Sequence, residues 1–206
     1  MALDTACGTG RYAGFLAGRG LRVVGVDGSP DMLARARTRV PRGEFLVGDL
    51  HRLPVADAGV DLVVCGLALT HVPALEPVLA EFARVLRPGG TVAALWNRDD
   101  DSVEWVAGAN AAIGLRPNPG GSSVSTFPEH PALGPSEVQS FGHAVPQTID
   151  SMIANIATHS WALTAEPAAR DAALGRLRDY LAGRPETAGG SFDEPLRTDV
   201  LRAQRH

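Results

Sequence analysis

Apolar positions in the first hundred residues fall into two alternating patterns. Short, nearly continuous runs (ALD at 2–4, LRVVGV at 21–26, EFLVG at 44–48, VDLVVC at 60–65 and TVAALW at 91–96) have the character of strands buried on both faces. Between the last two of these runs Leu75, Val78, Leu79, Phe82, Val85 and Leu86 recur at helical spacing. They predict a helix over 74–86 that lays one face on a sheet and stops before Pro88 and Gly89. Ser29 ahead of Pro30 and Asp31 predicts another helix start, with Arg35, Arg37 and Arg39 toward its end and Pro41 stopping it. Strands alternating with helices predict an α/β, doubly wound parallel sheet.

Further along, Asp99 to Asp101 are read as the cap of a helix reaching Ile113. Residues 114–135, rich in Gly and Pro and without periodicity, are read as a loop. Val138 to Val145 should form a sixth strand and Thr148 to Thr158 a helix. Thr164 should cap a helix bearing Leu174, Leu177 and Leu181, with Gly183 after its end, and Leu196 to Ala203 should form the last strand.

The chemistry concentrates where the first three strands end. In LDTACGTGRYAG, residues 3–14, Asp4 closes a strand, and Gly8 and Gly10 let the backbone turn tightly and open a helix near Arg11. Asp27 ends the second strand, where a carboxylate can accept hydrogen bonds from two ribose hydroxyls. Asp49 and Leu50 follow the third, offering one carboxylate and one backbone amide to an adenine amino group and ring nitrogen. Together they describe a nucleoside site at the carboxyl edge of a parallel sheet. Gly8, Gly10 and Ala13 also fit GxGxxA, with Asp27 about 20 residues on, so this stretch alone leaves a nicotinamide enzyme open.

Four ordered stretches go further: ALDTACGTG, VVGVDGSPDML, FLVGDLHRLPVADAGVDLVV and LTHVPALEPVLAEFARVLRPGG. With them the chain resembles the class I methyltransferases that use S-adenosylmethionine. The resemblance implies a Rossmann-like, mostly parallel seven-stranded sheet with an antiparallel last strand. It implies S-adenosylmethionine as cofactor, with Asp4 facing the methionine ammonium, Gly8, Gly10 and Gly28 lining the ligand, Asp27 on the ribose, and Met32 beside the adenine with Asp49 and Leu50. Ala6 stands where the family usually has a glycine and leaves slightly less room. His71, just beyond strand four, lies where related enzymes place acceptor-facing groups and is the candidate general base. Trp96, Asn97 and Arg98 are candidates for the acceptor pocket.

Methyl transfer is mainly alignment of nucleophile, methyl and sulfur, so the lack of a stronger catalytic signature is expected. Family members normally carry helices ahead of the first strand, whereas here Met1 precedes it directly. The expectation is a shortened or mis-started form with an open cofactor site and marginal stability unless a second copy, as a homodimer, covers the gap.

Composition narrows the alternatives. At 206 residues and 21.6 kDa the chain suits one α/β domain. Residues 1–113 form its cofactor-binding core, 114–135 a loop placed to act as a lid, and 136–206 the strands and helices that complete it. A net charge of −4 and a pI near 5.8, with no basic cluster, argue against nucleic acid and leave a small-molecule methyl acceptor as the expected partner. Cys7 and Cys65 make no disulfide framework and no apolar run reaches membrane length, so a cytoplasmic location away from membranes is expected. His130, His143 and His159 lack ligand spacing, and the triple aspartate reads as a solvated helix start, so no metal is expected. A nicotinamide oxidoreductase would need a hydride-site pair such as tyrosine and lysine, and every basic residue here other than histidine is arginine. A truncated or degenerate methyltransferase fold that binds without activity is the other alternative.

Overall fold

The computed structural model of the chain describes residues 1–114 and 126–206. Its strands are β1 (Ala2–Thr5), β2 (Val23–Asp27), β3 (Glu44–Val47), β4 (Val60–Gly66), β5 (Leu86–Asp99), β6 (Glu137–Thr148) and β7 (Ser191–Gln204). They form one seven-stranded sheet in the order β3-β2-β1-β4-β5-β7-β6. β1 lies parallel between β2 and β4, with Thr5 in register with Val26 on one side and Cys65 on the other. β2 pairs parallel with β3, and β4 with β5. β7 runs against β5: Gly89 at the start of β5 donates to Arg205, and Asp100 just past its end donates to Pro195.

Two compact units partition the chain. The first comprises Met1–Trp96, Ser122–Ser140 and Asp199–His206, and the second Asn97–Gly121 and Phe141–Thr198. In the first, the apolar strands divide their side chains between two faces, as a two-residue period requires. Leu3, Val24, Val26, Val63 and Cys65 share a core with Val78, Leu79 and Phe82 of α3 (Leu75–Val85). Ala2, Val23 and Val64 turn the other way, toward Ala13 and Leu16 of α1 (Arg11–Gly18) and Leu33 and Ala36 of α2 (Pro30–Arg39). Covering both faces buries β1 completely, and each large apolar side chain removed from water contributes about 1.5–3 kcal/mol. The α2 start follows the sequence reading, with Ser29 Oγ accepting from the Met32 amide and Pro30 in the first turn.

The second unit packs α4 (Glu104–Ala112), α5 (Ile149–Ile156), α6 (Ser160–Thr164) and α7 (Pro167–Ala182) around Trp105, Val106, Met152, Leu177 and Leu181. Trp105 meets Phe192 edge to face at 5.6 Å. Thr148 caps α5 through a reciprocal bond with Ser151. Two expected caps are corrected. Thr164 ends α6 rather than starting the next helix, because Pro167 fixes the backbone at the first turn of α7 and moves the break to Glu166. The Asp99–Asp101 run does not cap α4, which starts from Val103. Asp100 instead binds the Ser102 hydroxyl at 2.6 Å and closes the turn before the helix.

Of the expected loop 114–135, residues 115–125 lie outside the described residues. Phe127 and Leu133 of the remainder are buried in the core of the first unit. Among the described residues no helix is long and apolar enough to cross a membrane.

Candidate functional site

The carboxyl ends of β1, β2, β3 and β4 form one edge in the first unit, and the residues expected to bind a cofactor stand along it. The loop from Ala6 to Gly10 turns through three left-handed positions, Ala6 (φ 50°), Gly8 (φ 52°) and Gly10 (φ 75°). At Gly10 the turn brings α1 against α2 so closely that a Cβ would sit 3.0 Å from the Ala36 Cβ. Over Gly8 the space is open, so a ligand can lie on the bare backbone there.

Ala6 holds the conformation a glycine would adopt freely, at a cost of roughly 1–2 kcal/mol for an L side chain. Ala6→Gly relieves that strain and adds unfolded-chain entropy in return. Thermal denaturation should therefore show the variant unchanged or stabilised by up to about 1 kcal/mol. A clear loss of stability would mean that the Ala6 methyl contributes packing that outweighs the strain.

Asp27 clamps the same loop: one oxygen accepts from the Gly8 amide at 2.8 Å and the other from the Ser29 amide at 2.9 Å. Each oxygen keeps a lone pair for a hydroxyl beyond the edge. Asp4 is 1% exposed and accepts from the Ala13 amide at 2.8 Å through Oδ2, while Oδ1 is buried with no hydrogen-bond partner among the described residues. Burial pushes its carboxyl up to about 7, against the Ala13 hydrogen bond and with help from the Asp27 charge. The thiols beside it are inert, because burial pushes Cys7 up to about 12 and Cys65 to about 11.

The remaining expected residues are more exposed. Asp49 projects into solvent, and the amide and ring of His51, each at 2.7 Å, hold its carboxyl below the ordinary value. Leu50 is half-buried against the core, Met32 is 40% exposed at the start of α2, and Gly28 sits on the surface. His71 closes a 3-10 turn, Leu69–His71, after β4. Trp96 is buried in the first unit, whereas Asn97 and Arg98 line a cavity in the second.

Sequence reasoning missed three contributors to the edge. The Tyr12 ring lies so close over Gly66, at the end of β4, that no side chain fits there. Leu67 follows in a left-handed conformation (φ 62°) and is 48% exposed, a strained bulky residue of the kind that gathers at functional sites. Val47, paired with Asp27, leaves 59% of its surface to solvent. The sequence signals were a tyrosine two residues after the last loop glycine and a glycine ending an apolar strand.

The methyltransferase domain family matches residues 3–94. An uncharacterized methyltransferase of Mycobacterium tuberculosis is 32% identical over 202 residues, 98% of this chain and 82% of that protein. The chain belongs to the methyltransferase family. The malonyl-acyl-carrier-protein O-methyltransferase of Serratia marcescens is 39% identical over 90 residues, which span 44% of this chain and 35% of that enzyme. The fold of this family member is shared, at 19% identity and a TM-score of 0.57, by the YcgJ protein of Bacillus subtilis, over 100% of this chain and 91% of that one. A geranyl diphosphate methyltransferase in complex with GPP and sinefungin gives a TM-score of 0.52 at 18% identity, over 100% of this chain and 71% of that one.

Proposed function

We propose that the protein transfers a methyl group from S-adenosylmethionine to a small-molecule acceptor. The observation that carries this reading is the unpartnered, buried Oδ1 of Asp4 beneath the glycine loop. A buried carboxylate is costly unless a cation meets it, and the methionine end of this cofactor brings an ammonium. A dinucleotide would instead lay a pyrophosphate dianion on the loop, against the Asp4 and Asp27 carboxylates, with the Arg39 side chain that donates to the Thr9 carbonyl as a partial offset. Sinefungin occupying the geranyl diphosphate enzyme of the same fold agrees with this choice.

On this reading the chain's own residues bind and orient. Asp4 receives the ammonium, the open backbone at Gly8 lets the ligand approach, and Asp27 receives the ribose hydroxyls while holding the loop. Asp49 and Leu50 meet the adenine, with the exposed face of Met32 beside it. The bound cofactor supplies an electrophilic methyl on a sulfonium. What the protein adds is alignment and, for a weakly acidic acceptor, a base, for which His71 is the candidate.

Calorimetry with S-adenosylhomocysteine and with NADH separates the readings. The expected result is saturable binding of the first and none of the second. In Asp27→Ala the loss of two charge-assisted hydrogen bonds should weaken S-adenosylhomocysteine by about 1.5–3 kcal/mol, at least tenfold. Unchanged affinity in that variant, or binding of NADH alone, would overturn the assignment. No binding of either would favour the inactive module.

A further inference from the structure

The second unit has a cavity of its own, about 200 Å3, walled by the end of β5, α4, the end of α5 and β7. Its wall mixes polar residues with the aliphatic Ile113, Ile156 and Leu196. Asn97, Asn110, Asn155, His159, Asp99 and Glu194 line it, and Asn97 Oδ1 also accepts from the Thr198 hydroxyl at 2.8 Å. Glu194 is only 6% exposed, and Oε2 accepts a hydrogen bond from Gln147 Nε2 at 3.0 Å. A neutral amide supplies no countercharge, and the Asp99 charge nearby has the same sign. Burial pushes the Glu194 carboxyl up, the Gln147 bond opposes this, and Asp99 adds to it. Arg98 also lines the wall, with its guanidinium 3.8 Å from the Asp101 carboxylate and 3.4 Å from the Asp99 carbonyl.

We propose that this cavity is a binding site for a small amine, a compact molecule whose ammonium donates to Glu194 and to the surrounding carboxamide oxygens. An ammonium has three donors and no acceptor, which matches a wall of carboxylate and amide oxygens. It also brings the positive charge that a buried carboxylate needs. With Asp99 and Glu194 against Arg98, the wall carries an excess of negative charge that disfavours an anion. The volume, below the usual range of roughly 300–1,000 Å3 for ligand pockets, excludes a nucleotide or a peptide and favours a short carbon frame. The inference is independent of what binds at the carboxyl edge of the first unit.

The test holds the carbon frame constant and changes its head group. Butylammonium, 1-butanol and butyrate are titrated into the full-length chain and followed by NMR shift changes of the Asn side-chain amides and by calorimetry. Saturable binding of butylammonium, with neither of the others binding, is the expected result. Glu194→Gln should weaken butylammonium at least tenfold while keeping a cooperative unfolding transition. If Glu194→Gln does not fold, Asn155→Arg decides, because this exposed position tolerates a charge that should exclude the amine. Equal binding of the three probes, or undiminished amine affinity in the variant that folds, overturns the proposal.

Discussion

Asp4→Asn is expected to make the protein more stable and to weaken cofactor binding. The folded-state carboxyl stands near 7, above the 3.8 of an unperturbed aspartate. Between those values the folded chain keeps a proton that the unfolded chain has released, so stability falls as pH rises from about 4 to about 7 and levels off above. At about 1.4 kcal/mol per unit, the ionised carboxylate destabilises the ligand-free protein at pH 8 by on the order of 2–4 kcal/mol. Asparagine keeps an acceptor for the Ala13 amide and carries no charge, so it removes that destabilisation. Chemical denaturation of both proteins at pH 4.5 and pH 8 checks this: the difference should be large at pH 8 and shrink to about 1 kcal/mol at pH 4.5. Cofactor affinity should move the other way, rising with pH toward 7 in the parent and losing that slope in Asp4→Asn. A variant no more stable at pH 8 than at pH 4.5, relative to the parent, would show that Asp4 is ionised and compensated within the protein.

Two glycines of the same loop should respond to a single methyl by different amounts. Gly10→Ala meets a left-handed backbone and places its Cβ 3.0 Å from the Ala36 Cβ and 3.2 Å from the Ala36 Cα. Conformational strain of about 1–2 kcal/mol and overpacking of about 1–3 kcal/mol combine there, so a loss of roughly 2–5 kcal/mol is expected, together with the cofactor site. Gly8→Ala carries only the strain, because its Cβ enters open space. It should cost about 1 kcal/mol of stability yet weaken the cofactor several-fold, since that space is where the ligand approaches. Unfolding midpoints and calorimetric affinities of the two variants test the contrast. Equal stability losses would mean that the α1–α2 approach adjusts freely.

What could be read from the chain beforehand was whatever depends on neighbours in sequence. The continuous apolar runs marked β1 to β5, Ser29-Pro30 marked the start of α2, and the spacing of Val78, Leu79 and Phe82 marked the buried face of α3. Thr164 misled because it is a good capping residue by type, while Pro167, three residues on, decides where the helix begins. Distant partners left no local trace. Nothing in DTACGTG says that Asp27 would bond the Gly8 amide across 19 positions, that the Tyr12 ring would cover Gly66, or that one oxygen of Asp4 would be left without a partner. The candidate carboxylates were legible as types at strand ends. Their division of labour, one clamping the loop and one buried and uncompensated, came from packing.

The placement of these carboxylates bears on turnover. On the proposed reading Asp4 addresses an ammonium, Asp27 a ribose, and Asp49 with Leu50 an adenine, all parts of the cofactor that methyl transfer leaves unchanged. Such contacts hold the spent cofactor as firmly as the fresh one and contribute nothing that favours the transition state over either. Discrimination between the two would then come from the lost sulfonium charge, and an enzyme built this way would be throttled by its own product. Its flux would then follow the rate at which that product leaves or is destroyed by another activity, more than the speed of the transfer itself.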